Sequence, residues 1–496
     1  MDNTNTTDID KTLINSLFKK LSKDVVKYLP SKFIPALIGL ISLPIYTAIF
    51  SPDEYGIYSI IISAVNLLSS IISSWLSHSA LRYYDEYKQV NREKEYYSTI
   101  FGALILFYSS ALFISVVIWV SPINIGLDSG LLVIMTAVLV LTASAYKISH
   151  NILRGARYAM LYSIFSILLP GGKLLLVLLL HEFLSFLGVL VILLATMIIE
   201  LLIILIFLIK MKPRISLFGV NKCFMLRMLR FGMPLLFNTT LSWILSVSDR
   251  YLIGFFRSFE ETGLYAISYN IGDKSLNLVF TSLMLAAYPV IIKTWNKYDK
   301  EHVEVLLSKL IKYFYILCIP IASALFVISP LLINILAADE YFAGYMVLPW
   351  VEIDILMKGL SRYLNKIWEL SEKTSVIVVI NFTAAVSNII LNLLFIPRFG
   401  FIAAGITTFA SYTIYFLIAL ILLRGKFNLK LFNKNLVLII ISSLLMLIPV
   451  SYLHNIMSSS ILSFLLIVLV GAGFYFSILY LMGVIKKEVR VILKRI

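Results

Sequence analysis

The sequence predicts an all-α integral membrane protein: fourteen transmembrane helices, arranged as two pseudo-symmetric six-helix lobes plus two C-terminal helices, with both termini cytoplasmic. Three observations carry that expectation. The chain is 60% hydrophobic with a mean hydropathy of +0.93, yet its net charge is +15. Its basic residues are sorted into alternate gaps between apolar stretches, and one outer-turn motif recurs half-way along.

An apolar run of about 18 to 25 residues crosses the ~30 Å hydrocarbon core as a helix, because a helix satisfies its own backbone there. Such runs occupy 33–50, 56–80, 98–120, 131–150, 160–180 and 184–209 in the first half. They resume at 234–256, 263–292, 313–337, 344–368, 374–396 and 401–423, followed by 436–453 and 461–485. Gaps 51–54, 121–130, 181–183, 257–262, 338–343, 397–400 and 454–460 hold only Arg257 and Arg398 as basic residues. The other gaps and both termini hold most of the 42 lysines and arginines, which marks them as the cytoplasmic side.

The charge pattern thus explains the net charge without nucleic acid, and no nucleic-acid partner is expected. The polar, acidic start is not read as a signal peptide. Residues 1–30 read instead as a cytoplasmic amphipathic segment, with Ile14, Leu17, Phe18, Leu21, Val25 and Tyr28 at helical spacing among lysines. The domain plan is then an N-lobe over 31–209, a cytoplasmic linker over 210–233, a C-lobe over 234–423, and a last helix pair with a basic tail over 424–496.

No gap exceeds about 25 residues, whereas a soluble catalytic domain needs at least ~50 to bury a core of its own. P-loop, metalloprotease and nucleophile-elbow patterns are missing, and Cys223 and Cys318 suggest neither disulfide nor metal site. The sequence therefore points to a non-enzymatic protein without cofactor or metal, whose work is done by the helix bundle. His181-Glu182 reads as a solvated loop pair.

Ser51-Pro-Asp-Glu-Tyr-Gly-Ile-Tyr58 follows the first stretch, and Ser258-Phe-Glu-Glu-Thr-Gly-Leu-Tyr265 follows the seventh. A weaker echo sets Gly188 against Gly405. Two halves of like orientation are implied, an arrangement that often encloses a substrate path.

Several of these residues resemble a known family, the oligosaccharide flippases of the multidrug/oligosaccharidyl-lipid/polysaccharide exporter superfamily. Phe231-Gly-Met-Pro-Leu-Leu-Phe-Asn238 through Ser248-Asp-Arg-Tyr-Leu-Ile-Gly254 is similar to its seventh-helix signature. Leu43-Pro44-Ile-Tyr46 before Ser51-Pro-Asp-Glu-Tyr-Gly56 is similar to the end of its first helix, and Asn388-x-x-x-Asn392 through Pro397, Gly400 and Gly405 to its eleventh-to-twelfth junction. The resemblance spans 31 to about 425 and implies a plasma-membrane flippase for a lipid-linked oligosaccharide, with membrane lipids and polysaccharide assembly proteins as further partners.

Charges inside the stretches supply the candidate site. An ionised side chain at a helix centre costs roughly 2.5 to 3.5 kcal/mol on insertion scales, so such residues face water or a partner. Lys173, Arg250, Lys274, Lys358 and Arg362 are the candidates to bind an anionic head group, since arginine forks and lysine point charges hold pyrophosphate well. Glu200, Asp249, Asp273 and Asp354 are the candidates to carry a coupling ion, and Glu352 joins them in the interior charge balance. Asp354, Lys358, Arg362 and Lys366 recur every four residues and share one helix face. The competing reading is that the acids merely pair with neighbouring bases. Stripes of Ser63, Asn66, Ser70, Ser73 and Ser77, of Asn238, Ser242 and Ser246, and of Asn270, Asp273, Asn277 and Thr281 add polar faces. At a rise of about 1.5 Å per residue, Lys173, Lys274 and Lys358 lie roughly 16 to 21 Å from a helix end, near the midplane. Alternatives within reach are a cation-coupled drug exporter, disfavoured by the basic set, a membrane-embedded polymerase, disfavoured by short outer loops, and a scaffold.

The orientation is directly testable. In a Cys223→Ser/Cys318→Ser background, Ser121→Cys should react with a membrane-impermeant thiol reagent from outside, and Lys297→Cys only after the inner face is opened. The reverse pattern would shift the helix count by one.

Overall fold

The computed structural model describes residues 30–120, 130–184, 188–213, 215–216, 219–298 and 300–493. The amphipathic segment read over 1–30 lies outside the described residues except for Pro30, as does all of the outer gap 121–130 but Gly130. The described residues form fourteen α-helices and one 3-10 helix, with no strand among them.

In chain order the helices are α1 (Pro30–Ile49), α2 (Pro52–Gln89), α3 (Glu93–Val120), α4 (Gly130–Gly155), α5 (Ala159–Leu184) and α6 (Leu190–Met211). Then follow α7 (Lys222–Phe256), α8 (Phe259–Lys297) and α9 (Lys300–Leu336), the 3-10 segment Asp339–Met346, and α10 (Leu348–Leu370). The last are α11 (Thr374–Leu423), α12 (Lys434–Ile456), α13 (Ile461–Leu481) and α14 (Lys486–Leu493). Eight of them, α2, α5, α6, α8, α9, α11, α12 and α13, are both long and apolar enough to cross a membrane. Helix α10 is not among these because Glu352, Asp354, Lys358, Arg362, Lys366 and Glu369 crowd its 23 residues.

Several helices outrun their apolar stretches on the basic side. Helix α7 starts at Lys222 rather than 234, and α2 continues to Gln89 rather than 80. The extensions carry Arg227 and Glu86, which meet in a two-bonded ion pair of 2.6 and 3.2 Å. Polar residues thus continue the helix into the interfacial region, where water meets their side chains.

The chain divides into two units. One comprises Pro30–Gly39 and Asp53–Tyr251; the other comprises Leu40–Pro52 and Leu252–Ile496. In the first, buried tyrosine and serine hydroxyls fasten helix to helix: Tyr96 donates to Ala80 O at 2.7 Å and Ser79 to Met228 O at 3.1 Å. Trp75, almost fully buried, meets Phe107 edge-on. In the second, the outer half of α1 is fixed to the 3-10 segment, since Tyr341 donates to Phe50 O at 2.8 Å and Thr47 Oγ1 accepts from Ala338 N–H at 3.1 Å. Helices α8, α9 and α11 pack around α10, with Phe280, Phe314 and Tyr363 in edge-to-face contact between α8, α9 and α10.

The repeated outer motif has a structural job. Helix α11 breaks at Gly400, whose φ of 64° is the left-handed region that side chains avoid. Glu261 of the second motif copy holds that turn: it accepts from Phe401 N–H at 3.0 Å and from Arg257 Nε at 2.9 Å. In the other unit Gly188 has a φ of 51°, and a Cβ there would meet Oε1 of Glu54, the residue that Glu261 repeats. Gly188 therefore corresponds to Gly400, a correction to the Gly405 pairing expected from spacing. Gly405 packs instead against Val347 and Trp350.

Candidate functional site

Each unit carries its own cluster of charged and hydroxyl groups on helices that are otherwise apolar. In the first unit Glu200 sits on α6, almost fully buried, with the Thr142 hydroxyl of α4 at 2.5 Å from its Oε2. Five residues further along α4, Lys147 donates to Ser69 Oγ at 2.7 Å and Ser70 Oγ at 3.1 Å on α2. Lys173 on α5 reaches Tyr58, with its Nζ 3.4 Å from the phenolic oxygen. Both lysines lie within electrostatic reach of Glu200. The α2 stripe expected from sequence is thereby used in part: Ser70 receives the ammonium together with Ser69, which the stripe did not include, and Ser63 donates to Tyr251 OH at 2.9 Å. Asp249 is fully buried on α7 and Arg250 beside it is half-buried.

Lys147 lies three residues inside the fourth apolar stretch and is not among the candidate residues named from the sequence. Its charge lies within electrostatic reach of Glu200, as that of Lys173 does, so it belongs to the candidate site. A signal was present, because a lysine at that depth already requires polar partners.

In the second unit the α10 ladder is laid over aromatic rings. Lys358 Nζ stands 5.5 Å from the Tyr412 ring centre of α11, and the Arg362 guanidinium 5.1 Å from Phe280 of α8. Lys366 stands 4.7 Å from Tyr288 and is bonded to Glu369 at 2.5 Å, one turn along its own helix. Cation and ring face attract, and the ring shields the charge from lipid. Lys366 is thus committed to a local ion pair, while Lys358 has Asp273, Asp354 and Arg362 within electrostatic reach. On α8, Asp273, Asn277 and Thr281 form a chain, Asn277 donating to Asp273 at 3.4 Å and Thr281 to Asn277 at 3.3 Å. Lys274 is half-buried beside them.

Two acids two residues apart, Glu352 and Asp354, are fully buried on α10. Neither carboxylate oxygen of Glu352 has a hydrogen-bond partner among the described residues, and Asp354 and Asp273 lie within electrostatic reach of it. An unpartnered buried carboxyl is costly when ionised, so Glu352 is a stronger candidate to take up a positive charge than its sequence position suggests. Across the Gly400 turn, Asn388 donates to Thr408 at 3.3 Å and Asn392 to Asn388 at 3.1 Å, while Thr407 bonds Asn392. Among the described residues no group of three His, Cys, Asp or Glu side chains is placed to hold a metal ion.

The second unit also carries an apolar groove of about 630 Å³ between α9, α12 and α13. Pro320, Ile321, Met446, Val450, Val468 and Tyr475 line it.

Comparison with known proteins gives these clusters a context. The polysaccharide biosynthesis protein family matches residues 21–295, and the MatE family matches 234–394. The chain belongs to the polysaccharide biosynthesis protein family. It is a multi-pass member of the multidrug/oligosaccharidyl-lipid/polysaccharide exporter superfamily, as its seventh-helix and outer-turn motifs imply. An uncharacterized membrane protein of Methanocaldococcus jannaschii is 24% identical over 250 residues, 49% of this chain and 48% of that one, so the match spans about half of either length. Among solved structures, the lipid II flippase MurJ in an inward closed conformation superposes with a TM-score of 0.76 at 15% identity, over 94% of this chain and 99% of that one. An inward-facing multidrug resistance MATE transporter gives 0.60 at 12% identity, over 80% and 94%. A superfamily transporter from Pyrococcus furiosus, described as having a binding pocket of reversed polarity, gives 0.54 at 14% identity, over 80% and 95%. At these identities the likeness is one of fold.

The ladder of this polysaccharide biosynthesis family member admits a sharp test by charge reversal. If Asp354 and Lys358 only neutralise each other, Asp354→Lys should fail and the added Lys358→Asp should restore activity, since the pair merely swaps ends. If they face the transported head group, the double variant should insert normally and stay inactive. The second outcome is expected, read as membrane-inserted protein by fluorescence and surface glycan by labelling.

Proposed function

We propose that this protein is a flippase that carries a polyprenyl-(pyro)phosphate-linked oligosaccharide, a surface-polysaccharide repeat unit, from the inner to the outer leaflet of the plasma membrane. The reading includes fourteen crossings with both termini inside, lobes over 31–209 and 234–423, and alternating access through a cationic lumen. No bond of the substrate is made or broken on this account, so the protein is not an enzyme. Polysaccharide assembly proteins would supply the substrate and remove the product.

One observation carries the proposal: in both units, basic side chains within the apolar stretches rest on hydroxyls or aromatic faces, namely Lys147 in the first and Lys358 and Arg362 in the second. Cations held this way keep their charge available to a phosphate, which a bidentate arginine or a lysine point charge binds. The apolar groove beside α12 and α13 suits the other half of such a substrate, a linear apolar run of isoprene units. With no nucleotide-binding pattern in the sequence, the drive is an ion gradient or consumption of product outside. Glu200, Asp249, Asp273 and Asp354 are the coupling candidates, joined by Glu352.

The second reading, a cation-coupled drug exporter, takes its support from the MatE match over 234–394. An organic cation would favour acidic, aromatic surroundings, whereas Arg250, Lys274 and Lys358 would repel it. Alanine replacement separates the two. Arg250→Ala, Lys274→Ala and Lys358→Ala should each abolish surface-glycan assembly in cells lacking the native copy while the protein still inserts, and Arg250→Lys should keep part of the activity. Wild-type glycan in all three alanine variants would refute the cationic lumen.

A further inference from the structure

The segment between α11 and α12, residues 424–433, is more built than a loop expected only to carry positive charge. Gly425 turns it with a φ of 75°, and Lys426 and Phe427 N–H groups both return to Leu423 O, at 2.9 and 3.1 Å. Lys430 N–H is fixed to Ser308 Oγ of α9 at 3.1 Å, and Asn433 caps α12 through Leu436 N–H at 3.1 Å. The Phe427 ring lies nearly parallel to Trp295, at 6.3 Å between centroids, and carries Lys300 Nζ at 4.9 Å. Lys426 Nζ stands 5.0 Å from the Trp368 ring centre.

These contacts enclose a pocket of about 680 Å³, lined by Lys300, Arg424 and Lys426 together with Phe427, Ile421 and Phe432. Glu304 is the one acid that lines it, and it is occupied 3.7 Å from Lys300. The Arg424 guanidinium makes no hydrogen bond or ion pair among the described residues. Ile421, in the last turn of α11, and Phe432, just before α12, are 67% and 71% exposed. Cations and large apolar side chains therefore share one pocket at the end of α11, on the side that the charge pattern marks as cytoplasmic.

A soluble anion would use the cations and leave Phe432 and Ile421 in water. A lipid that has an anionic phosphate above an acyl chain uses both. We propose that this pocket is a binding site for an anionic phospholipid of the inner leaflet, its phosphate held by Lys300, Arg424 and Lys426 and its upper acyl carbons against Phe432 and Ile421. Basic pockets between helices on the cytoplasmic side are suited to such head groups. Beyond the transport reading, the assignment concerns a resident lipid and does not depend on what the flippase carries. Bound there, the lipid would join α9 to α11 and α12 at the inner surface.

The experiment counts lipids on the purified full-length protein by native mass spectrometry, with phosphatidylglycerol and phosphatidylcholine of identical chains offered at equal concentration. Wild type should retain phosphatidylglycerol about fivefold or more over phosphatidylcholine, since one basic residue near an anionic head group contributes roughly a factor of five. The Lys300→Gln/Arg424→Gln/Lys426→Gln variant should bring that preference within about twofold and leave phosphatidylcholine binding unchanged. Lys430→Gln/Lys434→Gln, on the same stretch but outside the pocket, should keep the wild-type preference, which guards against an effect of bulk charge or misfolding. An unchanged preference in the triple variant, or an equal loss in the control, would overturn the site. Displacement of the lipid by millimolar glycerol phosphate would instead make it a site for the free anion and overturn the lipid assignment. Glycan assembly is not the readout, so failure here and failure of the flippase reading remain distinguishable.

Discussion

Everything unusual in this protein follows from holding ionised side chains at membrane depth, where a lone charge costs roughly 2.5 to 3.5 kcal/mol by insertion scales. The fold answers that constraint in three ways. Lys366 is neutralised locally by Glu369 one turn away. Lys147 is solvated by the hydroxyls of Ser69 and Ser70, which take the place of water. Lys358 and Arg362 are laid on the rings of Tyr412 and Phe280. Only the first of these removes the charge from use. The other two stabilise a cation while leaving it able to bind an anion, which is the property that a phosphate carrier needs.

The second constraint is architectural. Helix ends within each unit are tied together, and the repeated motif ties them at corresponding places. Glu261 joins the start of α8 to the turn inside α11, through Phe401 N–H and Arg257. Glu54 stands against Gly188 at the turn between α5 and α6 in the same way. In both turns glycine is required because the backbone enters the left-handed region and the carboxylate occupies the space of a side chain. The recurrence of acid and glycine is therefore not a coincidence of composition: the same contact is built twice from sequence positions far apart.

Much of this was legible in the chain. Apolar length and charge alternation are local quantities, and they mark the helical membrane class, while the family was implied by the resemblance of the seventh-helix and outer-turn motifs. The i, i+4 ladder of α10 and the α8 stripe of Asp273, Asn277 and Thr281 were likewise readable, because neighbours on a helix face are fixed by spacing. What spacing does not provide is the partner on another helix. Lys147 does not stand out until Ser69 and Ser70 are seen across from it. Glu352 passes as one acid among several until its carboxylate proves to lack a hydrogen-bond partner. Gly188 is set against Gly405 by their like places shortly after a short gap, whereas the counterpart in the structure is defined by φ and by Glu54 and Glu261. The helix ends were misjudged for a related reason: hydropathy marks where a helix leaves lipid, and α2 and α7 continue as helices in water.

The central claim is that the cations in the membrane serve a lipid-linked anion. The most direct measurement is translocation of a fluorescent polyprenyl-pyrophosphate oligosaccharide in proteoliposomes, scored by protection from an impermeant quencher with an ion gradient imposed. The account predicts protein-dependent exchange between leaflets for this lipid that is lost in Lys358→Gln, with no uptake of an organic cation dye. Gradient-driven movement of the dye, together with an unflipped lipid, would contradict it.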